Sequence, residues 1–199
     1  MRAGSSHNQL RIIAGTWRGR KLCFAPVPGL RPTPNRVRET LFNWLGPVLQ
    51  GARCLDLYAG SGALGIEAAS RGAAAVVLVE RDPQVVRTLR EQLQGLAAEQ
   101  VQVIQADAGN WLAGMPERFD IVFLDPPFHA ELLSPAIRQL EDGGWLAPEA
   151  WIYLEAEQGP LPELPVNWEI YRSKRAGQVG YHLVRRCRPA GSIVQETSE

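Results

Sequence analysis

Apolar runs alternate with helical patterns along the chain from Arg53 onwards. Most of these runs are continuously apolar, which is typical of strands that are covered on both faces. The predicted strands are 53–58, 75–80, 101–105, 119–124 and 151–157. The predicted helices are 63–71, one from Asp82 to about Gly95, a short one after 105, and one through 131–141. The alternation restricts the fold to the α/β class, with a doubly wound, mostly parallel sheet.

Both ends of the chain carry hairpin patterns. Residues 11–24 hold two short apolar stretches around a turn rich in Gly and Arg. Residues 168–174 and 179–186 flank a turn around Gly177. We therefore expect a small β-hairpin before the main sheet and an antiparallel hairpin that completes it.

A proline-rich linker, residues 25–34, joins the first hairpin to the main pattern. Thr33 can cap a helix whose first position is Pro34, because proline is well suited to the first turn. The expected organisation is a basic N-terminal hairpin and linker at 1–34, a main domain at 35–188 and a flexible tail at 189–199.

Charge is spread unevenly, although the 199-residue chain has a formal net charge of zero. Residues 1–38 and 170–195 are basic and contain no acidic residue, whereas the middle is acidic. Basic ends favour a polyanionic partner, and a solvated surface is the alternative. The three cysteines lie far apart without CxxC spacing, so they predict neither a disulfide framework nor a zinc site. No signal peptide or membrane-spanning run is evident, which favours a reducing cytoplasm.

The segment LDLYAGSGALG, residues 55–65, joins the first main strand to its helix. Gly60, Gly62 and Gly65 satisfy the pattern G-x-G-x-x-G, in which glycine lets the backbone turn tightly and approach a ligand. Glu80 ends the next strand, where a carboxylate can accept two hydrogen bonds from a ribose diol. A plain tight turn with a surface acid is the alternative reading.

Asp56 bears on which nucleotide the glycine loop would bind. It stands four residues before Gly60, where it would repel a pyrophosphate and so disfavour a nicotinamide dinucleotide. S-adenosylmethionine carries a sulfonium and an ammonium, so an acid beside its methionine half is favourable. Asp107 follows the third strand, where it can accept from an adenine amino group or simply cap a helix.

The strand at 119–124 ends in Asp125, Pro126, Pro127 and Phe128, at the edge of the sheet where ligands of doubly wound folds bind. A rigid turn would account for the prolines. It would not account for an acid and an aromatic ring on either side of them. The exocyclic amine of a nucleobase accounts for all four, because Asp125 and the Pro126 carbonyl can accept its hydrogens while Phe128 stacks on the base.

These motifs together give the chain a specific resemblance. LDLYAGSGALG, VERD, QADA and LDPPF, in this order, resemble class I S-adenosylmethionine-dependent methyltransferases. With RIIAGTWRGRKL and RPTPNRVRETLFNWL, the chain resembles the bacterial family that methylates guanine N2 in 16S ribosomal RNA, from about residue 10 to 187. Pro34-Asn35 departs from the Ser-Asp that is frequent there, outside the cofactor motifs.

The resemblance implies a seven-stranded sheet with a reversed last strand, S-adenosyl-L-methionine as cofactor, and a monomer acting on small-subunit rRNA within a ribosomal protein–RNA assembly. The implied catalytic residues are Asp125, Pro126, Pro127 and Phe128. The implied cofactor residues are Asp56, Tyr58, Ala59, Gly60, Ser61, Gly62, Glu80, Arg81, Asp107 and Ala108.

The basic ends are expected to form one rim around the pocket, because in the family's fold both ends flank the cofactor edge. Its predicted RNA-binding residues are Arg18, Arg20, Lys21, Arg36, Arg38, Lys174 and Arg175. Arg36 could instead reach the methionine carboxylate.

Three alternatives remain open at this point. The same amine-binding motif would serve N6 of adenine or N4 of cytosine, in DNA or another RNA. A binding module without turnover would be marked by loss of Asp125 or a loop glycine, and both are present. An NAD-dependent oxidoreductase leaves Asp125 and the prolines without a role, and His129 beside them is a loop residue in our interpretation.

Overall fold

The structure is a computed structural model, and it describes residues 8–24, 27, 32–127, 131–157 and 161–187. Its helices are α1 (Asn35–Leu49), α2 (Ala63–Ser70), α3 (Pro83–Leu96), α4 (Ala108–Leu112) and α5 (Leu133–Asp142). Its strands are β1 (Asn8–Arg11), β2 (Lys21–Phe24), β3 (Arg53–Asp56), β4 (Ala75–Glu80), β5 (Val101–Gln105), β6 (Phe119–Leu124), β7 (Leu146–Glu157), β8 (Trp168–Ala176) and β9 (Val179–Arg186).

Seven of the strands form one sheet in the order β5-β4-β3-β6-β7-β9-β8. Neighbouring strands from β5 to β7 are parallel, and β9 runs antiparallel to both β7 and β8. The predicted doubly wound sheet with a reversed last strand is therefore confirmed. The strand order changes direction between β3 and β6, which creates the crevice where such sheets bind ligands.

Helices cover both faces of the central strands, as continuously apolar strands require. On one face, α1, α2, α3 and the N-terminal hairpin share a core with side chains such as Leu41, Ile66 and Phe123. On the other face, α4 and α5 pack through residues such as Leu112 and Ile137. Among the described residues, no helix is both long enough and apolar enough to cross a membrane.

The N-terminal hairpin starts earlier than the predicted span 11–24, because Asn8–Arg11 pairs with Lys21–Phe24 and the residues between them, 12–20, form a wide turn. That turn packs on the ends of α2 and α3. The Thr16 N–H donates to the Ser70 carbonyl at 2.8 Å. Gly15 has a φ of +82°, and a Cβ there would lie 1.8 Å from the same Ser70 oxygen, so only glycine fits.

The start of α1 also differs from the prediction. The helix begins at Asn35 after Pro34, and no side chain caps it. The Thr33 hydroxyl donates instead to Oδ2 of Asp125 at 3.3 Å. The predicted cap was wrong because a tertiary partner, ninety-two residues away in sequence, takes the hydroxyl.

Candidate active site

The glycine loop lies at the carboxyl end of β3, at the point where the strand order changes direction. Gly60 and Gly62 have φ values of +51° and +75°, which side-chain-bearing residues rarely adopt. A Cβ on Gly62 would lie 2.7 Å from Ile66 Cδ1 and 2.8 Å from Leu89 Cδ2. The loop therefore keeps its backbone close to the first turn of α2, and Ala59 and Ser61 beside these glycines are buried.

Glu80 holds the glycine loop from the neighbouring strand. Its Oε2 accepts from the Gly60 N–H at 2.9 Å, and its Oε1 accepts from the Asp82 N–H at 2.8 Å. Each carboxylate oxygen has a second lone pair, so these contacts leave room for a diol. The ribose contact stays a prediction. Arg81, the next residue, is exposed.

Asp56 is more deeply buried than the sequence suggested. It is 2% exposed, and its Oδ2 accepts from the Gly65 N–H in α2 at 2.9 Å. Burial raises the pKa of Asp56 to about 7, with a smaller contribution from the negative charge of Glu80. Asp56 therefore supports the loop from beneath, and it can act on a bound cation through its field.

Asp107 caps α4, where its Oδ1 accepts from the Asn110 N–H at 3.2 Å. This is the simpler of the two roles that the sequence allowed, and contact with an adenine stays a prediction. Burial raises the pKa of Tyr58 to about 12, assisted by the negative charge of Asp107. These two side chains and the buried Ala108 thus lie at one end of the crevice.

Asp125 and Glu155 form a pair of neighbouring carboxyl groups at the ends of β6 and β7. Burial and the charge of Glu155 raise the pKa of Asp125 well above its usual range. Burial also raises the pKa of Glu155, which is 6% exposed and accepts from the Tyr153 hydroxyl at 2.6 Å. Within the described part of the chain, Oδ1 of Asp125 has no hydrogen-bond partner.

The crevice therefore concentrates carboxyl groups. Asp56, Asp125 and Glu155 all have raised pKa values, and among the described residues no arginine or lysine stabilises their charged forms. The described residues also contain no cluster of potential metal ligands. A cationic ligand would compensate these carboxylates, whereas a pyrophosphate would not.

The rest of the DPPF motif is only partly described. Pro126 is buried and Pro127 is exposed. Phe128 and His129 lie outside the described residues, so the stacking role of Phe128 stays a prediction.

Arg38 was wrongly predicted to contact RNA. It is 1% exposed, and its Nη1 pairs at 3.3 Å with Glu67, which is itself fully buried. Its Nη2 donates to the Arg11 carbonyl at 2.8 Å and to Oδ1 of Asn35 at 2.7 Å. Arg38 therefore holds the hairpin to α1 and has no surface to offer a phosphate. Arg36, two residues earlier, is exposed.

The single basic rim was also predicted wrongly. Arg18, Arg20 and Lys21 are exposed, but they belong to the hairpin turn. Arg20 Nη2 donates at 3.0 Å to the Gly95 carbonyl, near the last residue of α3. Because α3 starts at the crevice and 14 residues span about 21 Å, this turn lies near the opposite edge of the sheet.

Lys174 and Arg175 do lie near the crevice edge. In the antiparallel register, Lys174 is opposite Tyr181, which is in turn opposite Glu155. Arg175 is one residue closer to the end of the sheet. The hairpin turn and the C-terminal basic residues therefore lie at different edges of the molecule, whereas Arg36, three residues after the Thr33 that contacts Asp125, starts near the acidic crevice.

Residues 10–185 match the family model described as conserved hypothetical protein 95. The chain belongs to this family. Its fold is that of class I methyltransferases. "Ribosomal RNA small subunit methyltransferase D" of Escherichia coli K12 is 52% identical over 183 residues, 92% of each chain. The protein of the same name from Haemophilus influenzae is 45% identical, over 90% of this chain and 95% of its own.

A solved structure, "Putative methyltransferase yhhF from Escherichia coli", superposes with a TM-score of 0.84 at 53% identity. The match covers 91% of this chain and 99% of that one. Similarity of this extent includes the hairpin as well as the sheet, so the conserved hypothetical protein 95 fold comprises both.

Sequence reasoning missed Glu155 and Tyr153. The signal was available, because WIYLEAE places an acid near the carboxyl end of the strand that follows β6, and parallel strands end at one edge. The rule that predicted the position of Asp125, that carboxyl ends of parallel strands lie at the ligand-binding edge, also predicts Glu155 at the crevice.

Proposed function

We propose that this chain transfers a methyl group from S-adenosylmethionine to the exocyclic N2 amine of a guanine in small-subunit ribosomal RNA. The observation that carries the proposal is Asp125, whose Oδ1 has no hydrogen-bond partner among the described residues, followed by two prolines at the end of β6. Relatives named as small-subunit rRNA methyltransferases, similar over nine-tenths of the chain, support the choice of RNA.

The cofactor is S-adenosylmethionine, which supplies an electrophilic methyl group on a sulfonium. The backbone of Gly60 to Gly62 would lie along it, Glu80 would accept from its ribose and Asp107 from its adenine. Its positive charge fits the crevice, because Asp56 and Asp125 lack basic partners in the described part of the chain.

The residues of this chain act mainly on the amine. A guanine N2 lone pair is delocalised into the ring, which makes the nitrogen a poor nucleophile. Oδ1 of Asp125 and the carbonyl of Pro126 accept its two N–H groups, which orients the nitrogen for attack. As the new N–C bond forms, the bond from the methyl carbon to the sulfonium sulfur breaks and the nitrogen must lose one proton, for which the ionised carboxylate of Asp125 would be the acceptor. Holding the two reacting groups in line can lower the activation barrier by several kcal/mol, since positioning can contribute up to about 7–11 kcal/mol.

Nucleoside mass spectrometry of small-subunit rRNA, after incubation with labelled S-adenosylmethionine, tests the proposal. We expect label in N2-methylguanosine. Label in N6-methyladenosine or N4-methylcytidine would refute the choice of base, and an unmodified RNA would refute the activity.

Substitution of Asp125 tests the mechanism. Asp125→Ala should lower kcat roughly 100-fold, on the order of the loss of one transition-state hydrogen bond, while the cofactor Kd changes little. Asp125→Asn keeps one acceptor oxygen and should retain more activity than the alanine variant. A near wild-type rate for Asp125→Ala would remove this residue from the mechanism.

A further inference from the structure

Strand β8 is an edge strand that contributes little to the core. After Trp168, every residue from Glu169 to Arg175 is exposed, on both faces of the sheet. Long exposed edges invite pairing with other chains, and charged side chains commonly prevent it. Cations on β8 could serve that purpose. An exposed aromatic ring would not prevent pairing, so the 51% exposure of Tyr171 needs another explanation.

A β-bulge in the pairing of β8 with β9 places the side chains of Tyr171 and Arg172 on the same face of the sheet. Ile170 is opposite Val184 and Arg172 is opposite Leu183, so Tyr171 is an extra residue in β8. Such bulges redirect side chains. Arg172 lies over the Tyr171 ring at 4.9 Å, and Tyr171 meets Trp151 edge-on with centroids 5.0 Å apart.

A second pair of the same kind lies closer to the crevice. Lys174 lies 5.9 Å from the ring centroid of Trp44, which stacks on Tyr181 at 5.6 Å. Cations and aromatic rings thus alternate along this face, and no acidic residue occurs between Ile170 and Ala176. We call the set Tyr171, Arg172 and Lys174 the β8 ridge; Arg175, the next residue, points to the other face.

The ridge starts beside the proposed active site and leads away from it. Lys174 shares a row of the sheet with Glu155, and β8 lies three strands from β6, or about 14 Å. From Lys174 to Tyr171 the ridge covers about 10 Å, since a strand rises about 3.3 Å per residue. This length suits two or three stacked nucleotides, at about 3.4 Å each.

We propose that the β8 ridge binds the unpaired RNA next to the target nucleotide, with Tyr171 stacking on a base and Arg172 and Lys174 contacting phosphates. Basic side chains interleaved with aromatic rings are the usual surface for single-stranded nucleic acid. The inference rests on the proposed function and adds to it a second point of contact, which orients the RNA across the crevice.

Ile170 provides a matched control for Tyr171. Both are 51% exposed and adjacent, but Ile170 faces the other side of the sheet, opposite Val184. The full-length variants Tyr171→Ala, Tyr171→Phe, Arg172→Ala and Ile170→Thr would be compared in binding to a labelled, protein-free small-subunit rRNA fragment over a range of salt concentrations.

Tyr171→Ala should weaken binding about tenfold without changing the salt dependence, because stacking releases no counterions. Arg172→Ala should reduce the slope of log K against log salt by about 0.7. Tyr171→Phe and Ile170→Thr should bind as the wild type does, and cofactor affinity should be unchanged in all four variants.

The outcomes separate this inference from the function on which it rests. A wild-type protein that neither binds nor methylates rRNA refutes the proposed function. A wild-type protein that does both, with Tyr171→Ala and Arg172→Ala equal to it, refutes the ridge alone. If the two variants lose affinity only for protein-containing subunits and not for the protein-free fragment, the ridge binds a protein and the RNA assignment is overturned.

Discussion

Replacement of Arg38 by alanine should destabilise the fold without a direct effect on RNA. Removing one partner of a buried ion pair costs about 3–5 kcal/mol, mostly because the other charge is left uncompensated. Glu67 would keep three partners, namely Arg71 Nε at 2.7 Å and the N–H groups of Ile13 and Ala14 at 2.8 and 3.0 Å. We therefore expect the lower end of that range, a loss of about 3 kcal/mol.

Urea denaturation measures this loss. With a slope of about 2 kcal/mol per molar urea, the midpoint for Arg38→Ala should fall by about 1.5 M. Arg36→Ala is the matched control, because the two arginines lie two residues apart on α1 and only Arg36 is exposed. Its free energy of unfolding should stay within about 0.5 kcal/mol of wild type. It should instead weaken RNA or cofactor binding, as predicted for this position.

The opposite result would refute the burial argument. If Arg38→Ala unfolds at the wild-type urea concentration and reduces the salt dependence of RNA binding, its guanidinium contacts phosphate and the ion pair with Glu67 has no importance for stability.

Three other results are expected. S-adenosylmethionine affinity should rise with pH up to about 7, and binding should release protons, because a cation favours the ionised forms of Asp125 and of Asp56, whose pKa is raised to about 7. Calorimetry in buffers of different ionisation enthalpy measures the proton release, and a pH-independent affinity between pH 6 and 8 would contradict it. Glu155→Gln removes a negative charge beside Asp125 and so should lower the pKa of Asp125, which would shift the acidic limb of the pH–rate profile to lower pH. An unchanged pH–rate profile would show that the two carboxyl groups are uncoupled in the reaction. Gly15→Ala should lower the free energy of unfolding by at least about 2 kcal/mol, because a Cβ would overlap a backbone oxygen. Gly19 has a similar φ of +81° but open space around it, so Gly19→Ala should lower the free energy of unfolding by only about 1 kcal/mol. Equal losses in thermal unfolding would contradict the overlap at Gly15.

The sequence predicted the main sheet well because its signals are local. Continuous apolar runs, the glycine loop and DPPF each lie within about ten residues, and their positions in the fold follow from strand order. Glu80, Asp107 and Asp125 therefore lie at the predicted edge.

The failures involve partners distant in sequence. Thr33 resembles a helix cap until Asp125 takes its hydroxyl. Arg38 is one of eight similar basic residues in 1–38, and only Glu67, on a helix formed later in the chain, distinguishes it. The edge reached by Arg20 depends on which end of α3 the turn contacts. Charge composition contains none of this information.

The anchoring of the N-terminal hairpin also determines when it can fold. Its two strands have four residues each, too few to be stable alone. Its anchors come from later segments: the Trp17 N–H donates to the Ser70 hydroxyl, 53 residues on, and Arg20 to Gly95, 75 residues on. During synthesis the hairpin leaves the ribosome before α2 and α3, so these anchors are missing until both helices have formed. This basic segment is therefore made before its partners and becomes ordered only after them, and non-local contacts of this kind slow folding.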